Sequence, residues 1–409
     1  MKKNNPEIEP DIEAAEDRGE SGSLMDPFLL GEASRARHAL PDLALELAQR
    51  SAGFRRSLPA TIVKSLGNLV RSMNCYYSNL IEGHDTHPVD IERALNDDYS
   101  KDARKRDLQL EARAHIGVQR WIDEGGIETR ATATRAVREI HRRFYAEMPD
   151  DLGWVEDPAT GERFRVNPGE LRRRDVRVGR HIAISPGAVP RFLARFESVF
   201  DGLGKAETIL AAAAAHHRLA WIHPFLDGNG RVIRLMSHAM LLNTLDTGAI
   251  WSISRGLARN VEAYKSHLAA CDLPRRNDLD GRGSLSEEAL AAFTEFFLKT
   301  CLDQVSFMEG LVQPDRLRAR IMLWAEEEIR LGVLPPRSGA IMEALLYRGE
   351  LQRAEIAGML GVGDRQARRV VAMLADRGVI VSGTSRAPIR LAFPATLAAR
   401  WMPGLFPEQ

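Results

Sequence analysis

The 409-residue chain gathers a base, a hard-metal ligand, an anion cradle and two cations within one short segment, His223-Pro224-Phe225-Leu226-Asp227-Gly228-Asn229-Gly230-Arg231-Val232-Ile233-Arg234. His223 titrates near enough to neutrality to take a proton from a hydroxyl. Asp227 offers a single carboxylate, which suits Mg²⁺, an ion that commonly takes one or two from protein and completes its shell with phosphates and water. Gly228 and Gly230, on either side of Asn229, permit backbone conformations that expose successive N–H groups, and a helix starting near Arg231 aims its positive end at a bound anion. Arg231 and Arg234, three apart, reach the same face of that helix. The chemistry such a set suits is phosphate transfer from a Mg-nucleotide. Taken singly, each residue more often belongs to a turn or a satisfied core.

A second constellation stands upstream, Ser78-Asn79-Leu80-Ile81-Glu82-Gly83-His84. Gly83 is a natural helix stop, so Glu82 falls in a last turn, where the helix dipole disfavours a carboxylate and invites a cationic partner. On its own the pattern also fits a solvated surface glutamate. Other signals are weaker. Gly202-Leu203-Gly204-Lys205-Ala206 lacks the leading glycine and the Ser or Thr of a phosphate-binding loop. His216 and His217 match no zinc spacing relative to His223 and read as packing or hydrogen-bonding residues of one helix.

The pattern H-P-F-x-D-G-N-G-R-x-x-R resembles the signature of the Fic (Fido) family at every defining position. Trp251-Ser252-Ile253-Ser254-Arg255-Gly256-Leu257, Tyr264 and Asp280-Gly281-Arg282-Gly283 resemble the family core downstream, so the similarity spans roughly residues 110–310. The resemblance implies transfer of AMP from ATP to a protein hydroxyl. In that reading His223 is the base and Asp227 holds Mg²⁺. Gly228, Asn229 and Gly230 form the anion hole, Arg231 and Arg234 take the outer phosphates, and Tyr264 lines the nucleotide pocket or is an ordinary core tyrosine. S-x-x-x-E-G resembles the family's inhibitory helix, which implies that Ser78 and Glu82 restrain the enzyme, Glu82 by pairing with Arg234. The same resemblance implies removal of AMP by the same site, and leaves open other nucleotides or a phosphate donor.

Helical elements must position these groups. Apolar residues such as Ile62, Leu66, Leu69, Val70 and Met73 recur at helical spacing. Around Gly179 the alternation of Val176, Val178, Ile182 and Ile184 predicts a β-hairpin. The resemblance makes this hairpin, with Val176, Val178, Gly179 and His181, a flap that docks a target segment by strand addition. Ser284-Leu285-Ser286-Glu287 reads as a capping box opening a further helix. Helices over 341–346, 355–360 and 365–374, then strands over 379–381 and 389–391, follow the order of a winged helix-turn-helix. The expected organisation is a disordered acidic tail (1–24), an N-terminal helical region with the inhibitory helix (25–109), a mainly α catalytic core with a β-hairpin flap (110–313), a connecting helix (314–334) and a winged helix (335–409).

Composition narrows the partners. Fifty-six basic and 56 acidic residues cancel, so nucleic acid binding over the whole surface is excluded and only a local patch can do it. Residues 337–390 supply such a patch, with nine arginines against five acids. This favours a rival reading, a DNA-binding regulator whose core senses nucleotide, and a protein partner for the winged helix is its alternative. Three widely spaced cysteines and the lack of an apolar leader or span point to a reducing, cytoplasmic setting without membrane. The protein target cannot be read from the sequence, and a homodimer stays open.

Overall fold

The computed structural model describes residues 15–31, 34, 36, 38–157 and 160–407. The chain is mainly helical. It opens with α1 (Ala39–Arg56), α2 (Ala60–Ile81), α3 (Pro88–Leu95), α4 (Ala103–Asp123) and α5 (Thr134–Ala146). The apolar stripe of α2 buries Ile62, Leu66, Leu69, Val70 and Met73, as its spacing predicts. Gly83, at φ 85°, ends the helix in a conformation that carries no Cβ penalty. Polar contacts fix α2 against its neighbours: Arg71 Nε donates to Asp123 Oδ2 (2.6 Å), and Asp123 Oδ1 meets His238 Nε2 (2.7 Å).

Two short antiparallel pairs follow, β1 (Trp154–Glu156) with β2 (Arg163–Arg165), then β3 (Arg177–Val178) with β4 (His181–Ile182). The second is the expected hairpin: Arg177 faces Ile182, Val178 faces His181, and Gly179 turns the chain at φ 60°. The first pair was not legible. Its three-residue strands are too short to show alternation.

The centre is built from α6 (Val189–Phe200), α7 (Lys205–Ile222), α8 (Asn229–Leu245), α9 (Ser254–Arg259), α10 (Val261–Cys271) and α11 (Glu287–Val312). Helices α7 and α8 pack along each other, and five consecutive buried alanines, Ala211–Ala215, let neighbouring backbones approach α7 closely. The expected capping box is corrected by two residues. Ser286 caps α11 by accepting from Ala289 N (3.1 Å), and Glu287 instead accepts from Gly31 N (3.1 Å).

Beyond α12 (Pro314–Arg330) come α13 (Ser338–Arg348), β5 (Glu350–Leu351), α14 (Arg353–Leu360), α15 (Asp364–Asp376), β6 (Ile380–Val381), β7 (Ile389–Leu391) and α16 (Ala398–Trp401). The strands form one antiparallel sheet in the order β5-β7-β6. This unit leans on α2: β7 packs against it, and Tyr77 on α2 donates its hydroxyl to Leu405 C=O (3.1 Å). No helix among the described residues is long and apolar enough to cross a membrane.

The disordered-tail expectation is corrected for residues 15–24; residues 1–14 lie outside the described residues. Asp17 pairs with Arg191 (2.9 Å), Arg18 with Asp175 (2.8 Å), and Glu20 accepts from Ser185 N (2.7 Å). Met25 is buried behind them. The acids that made this segment look solvated have cationic and backbone partners that lie far away in sequence.

Candidate functional site

His223 terminates α7 in the left-handed region (φ 50°, ψ 63°), which turns its ring out of the helix and starts the loop to α8. Asn229 closes that loop on itself. Its Oδ1 accepts from Phe225 N (3.0 Å) and its Nδ2 donates to Phe225 C=O (2.8 Å), so it acts on the loop's own backbone. Gly228, at φ 76°, lies so close to Tyr145 that an added Cβ would fall 2.6 Å from the ring. Helix α8 begins at Asn229, so its first N–H groups have no partner within the helix and form an anion-binding end. Burial pushes the His223 imidazole down to about 4, so it is neutral and able to accept a proton at neutral pH.

The two arginines of the motif are both engaged. Arg234, 2% exposed, donates through Nη2 to Glu82 Oε1 (2.5 Å) and through Nε to Ser78 Oγ (2.9 Å). A Cβ added to Gly230 would collide with Glu82 Oε1, so this carboxylate lies directly over the mouth of the glycine loop. Burial disfavours its charge, but Arg234 and Arg231 outweigh that and hold Glu82 below the usual carboxylate range. Arg231 pairs with Glu111 and packs over the Phe144 ring, 4.8 Å from its centroid. Its second contact is Asp227 Oδ2 at 3.4 Å.

Several partners went unread in the sequence. Glu111 on α4 is fully buried and meets His84 Nδ1 with its other oxygen (2.7 Å), linking the residue after Gly83 to Arg231. Its signal was present, since Glu111 shares the inward face of α4 with His115, four residues on. Tyr145 donates its hydroxyl to Asp227 Oδ2 (2.5 Å). His141 accepts from Gly169 N at Nδ1 (2.9 Å), which leaves Nε2 as the donor to Asp227 C=O (3.3 Å). Arg172, 3% exposed, staples the flap to the motif. It reaches His223 C=O (2.7 Å), Ile184 C=O (2.5 Å) and Arg174 C=O (2.9 Å), and burial lowers its pKa to about 10. It stands first in an Arg-Arg-Arg run that reads as solvated charge.

Asp227 has a half-exposed side chain, and the Arg231 guanidinium holds its carboxyl below the usual range against the opposing effect of burial. One ionised, accessible carboxylate fits a Mg²⁺ ion otherwise bound by phosphates and water. Among the described residues no group of three or more His, Cys, Asp or Glu side chains could cage a metal. Tyr264 is buried, and its hydroxyl bonds His216 Nε2 (2.7 Å), while His216 Nδ1 meets Ser237 Oγ (2.9 Å). Tyr264 thus stands among buried groups near Arg234. His217 meets Asp272 (3.0 Å), in keeping with the packing role expected for both histidines.

In the flap, Val178 and Ile182 are exposed, Ile182 by 68%. Val176 C=O accepts from Ala183 N (3.2 Å), extending the pairing by one rung. His181 Nε2 contacts Trp221 C=O (2.8 Å) and so ties the hairpin to the last turn of α7.

The chain is similar to known proteins over part of its length. Residues 131–241 match the model of the Fic/DOC family. Protein adenylyltransferase Fic of Drosophila melanogaster is 29% identical over 222 residues, 52% of this chain and 42% of that protein. The Drosophila grimshawi protein of the same name is 30% identical over 169 residues, 41% of this chain and 32% of that one. The chain therefore spans less than half the length of these relatives. A crystal structure of a Fic family protein from Desulfovibrio desulfuricans G20 superposes with a TM-score of 0.48 at 16% identity, covering 86% of this chain and 96% of that one. From residue 131 to residue 241, through His223, the glycine loop and both arginines, the chain is similar to the Fic/DOC family.

Proposed function

We propose that the protein transfers AMP from ATP to a side-chain hydroxyl of another protein, and that Glu82 restrains this activity. The observation that carries the reading is a neutral, half-buried His223 beside a glycine loop whose mouth is covered by a carboxylate bound to Arg234. His223 takes the proton of the target hydroxyl. The hydroxyl oxygen forms a bond to the α-phosphorus, the bond to the bridging oxygen of the β-phosphate breaks, and pyrophosphate leaves. Asp227 is the residue to hold Mg²⁺, which when bound neutralises charge on the phosphates. N–H groups of Gly228, Asn229 and Gly230 stabilise the transferring phosphate, and Arg231 and Arg234 grip the outer ones.

With Glu82 on Arg234, a triphosphate loses that grip and its negative charge meets a carboxylate. Displacement of the α-phosphate by about an ångström lowers the rate on the order of a hundredfold. The same carboxylate, facing the loop, can orient a water for removal of AMP. The exposed Val178 and Ile182 support docking of the target strand on the hairpin. Three free, buried cysteines support a reducing, cytoplasmic setting. The test uses the Glu82→Gly chain with ATP labelled at the α or the γ position. Protein should retain α label alone, and His223→Ala in that background should lower labelling by about 10² or more. Retained γ label would replace the reading by phosphate transfer.

A further inference from the structure

Nucleotide chemistry leaves the unit formed by α13 to α15 and the β5-β7-β6 sheet without a task. Its α14 ends at Gly361 (φ 65°) and Gly363 caps α15, so a three-residue turn joins two helices. The inner face of α15 buries Ala367, Val370, Val371 and Leu374. Its outer face exposes Arg365, Gln366, Arg368 and Arg369. Other arginines of the unit are engaged, Arg348 with Glu355, Arg377 with Glu328 and Arg390 with Glu350. Among the described residues, Arg365, Arg368 and Arg369 have no ion pair. The loop joining β6 to β7 is closed by Ser382 Oγ on Ala387 C=O (3.0 Å) and exposes Arg386.

The unit meets the rest of the chain through α13, which packs on α12, and through β7 and the segment after it, which pack on α2 and α3, while Arg365, Arg368, Arg369 and Arg386 stay exposed. We propose that this face binds duplex DNA, with α15 in the major groove and the loop against the flanking backbone. Arginine and glutamine are the side chains that pair with guanine and adenine edges, and the cations displace counterions from phosphates. None of the large apolar side chains exposed among the described residues lies on the outer face of α15, which counts against a protein partner there. Because the whole chain is neutral, binding is confined to this patch and is strongly salt-dependent.

The test is fluorescence anisotropy of the full chain with a labelled duplex of about 20 base pairs, two helical turns, across a salt series. The parent binds at low salt. Arg365→Ala, Arg368→Ala and Arg369→Ala together lower affinity at least about tenfold and flatten the log–log salt slope by about 2 to 3. Arg386→Ala, on a separate element, gives a smaller loss, and Arg104→Ala, on α4, none. Absence of binding by the parent at low salt overturns the proposal. So does a triple variant that binds with the parent's affinity and slope.

Discussion

His223 and Arg172 act as a pair, although 51 positions separate them. The left-handed turn at His223 exposes its backbone carbonyl, and Arg172 fills that exposure while its other nitrogens hold Ile184 and Arg174. A buried guanidinium with several carbonyl acceptors depends on its rigid fork, which an ammonium cannot reproduce. Arg172→Lys is therefore expected to lower AMP transfer about tenfold to a hundredfold by loosening both the base and the flap, with nucleotide affinity little changed. Transfer kinetics beside a nucleotide titration check this, and an equal loss of affinity would contradict it. The motif itself was legible because its parts are contiguous. Arg172 and Tyr145 were not, because their partners lie 51 and 82 positions away and local spacing carries no trace of them, whereas Glu111 left only its place on the face of α4 that it shares with His115.

At the scale of elements, α2 is the part that brings Glu82 to Arg234. Its apolar stripe could be read from the sequence, and so could its stop at Gly83. The packing that aims Glu82 could not, since Arg71–Asp123–His238 joins three helices. Gly83, at φ 85°, has open space where a Cβ would go, so Gly83→Ala brings conformational strain without a clash. The expected cost is about 1 kcal/mol of stability, with fraying of the last turn. Glu82 then holds Arg234 less firmly, and AMP transfer should rise several-fold while staying below that of Glu82→Gly. Unchanged transfer together with the stability loss would mean that the helix end does not set the strength of the restraint.

For the whole molecule, buried imidazoles set the acid limit. Burial lowers His115 and His216 to about 3 and His141, His217 and His223 to about 4, against an ordinary value of 6.5. Between these values the unfolded chain takes up protons that the folded chain refuses, so stability falls with pH, by about 1.4 kcal/mol per unit of difference for each group at most. Glu82 and Asp227, held low, act in the same direction, as their contribution is lost when pH falls through their folded values. His84, raised by Glu111, opposes this: it stabilises below the ordinary value, and that contribution is lost as pH rises through its folded one. Five imidazoles against one predict a urea midpoint lower near pH 5 than near pH 7.5, since the two carboxylates act only below that window. A midpoint that rises towards pH 5 would contradict the buried, neutral state of these histidines.

The most direct test of the central claim is the rate of AMP incorporation from α-labelled ATP into a competent target, measured for the parent, Glu82→Gly, and Glu82→Gly with Arg234→Ala. Removal of the carboxylate over Gly230 should raise incorporation on the order of a hundredfold, and loss of Arg234 should erase that gain. Equal rates for the parent and Glu82→Gly would contradict the account, because the ion pair would then restrain nothing.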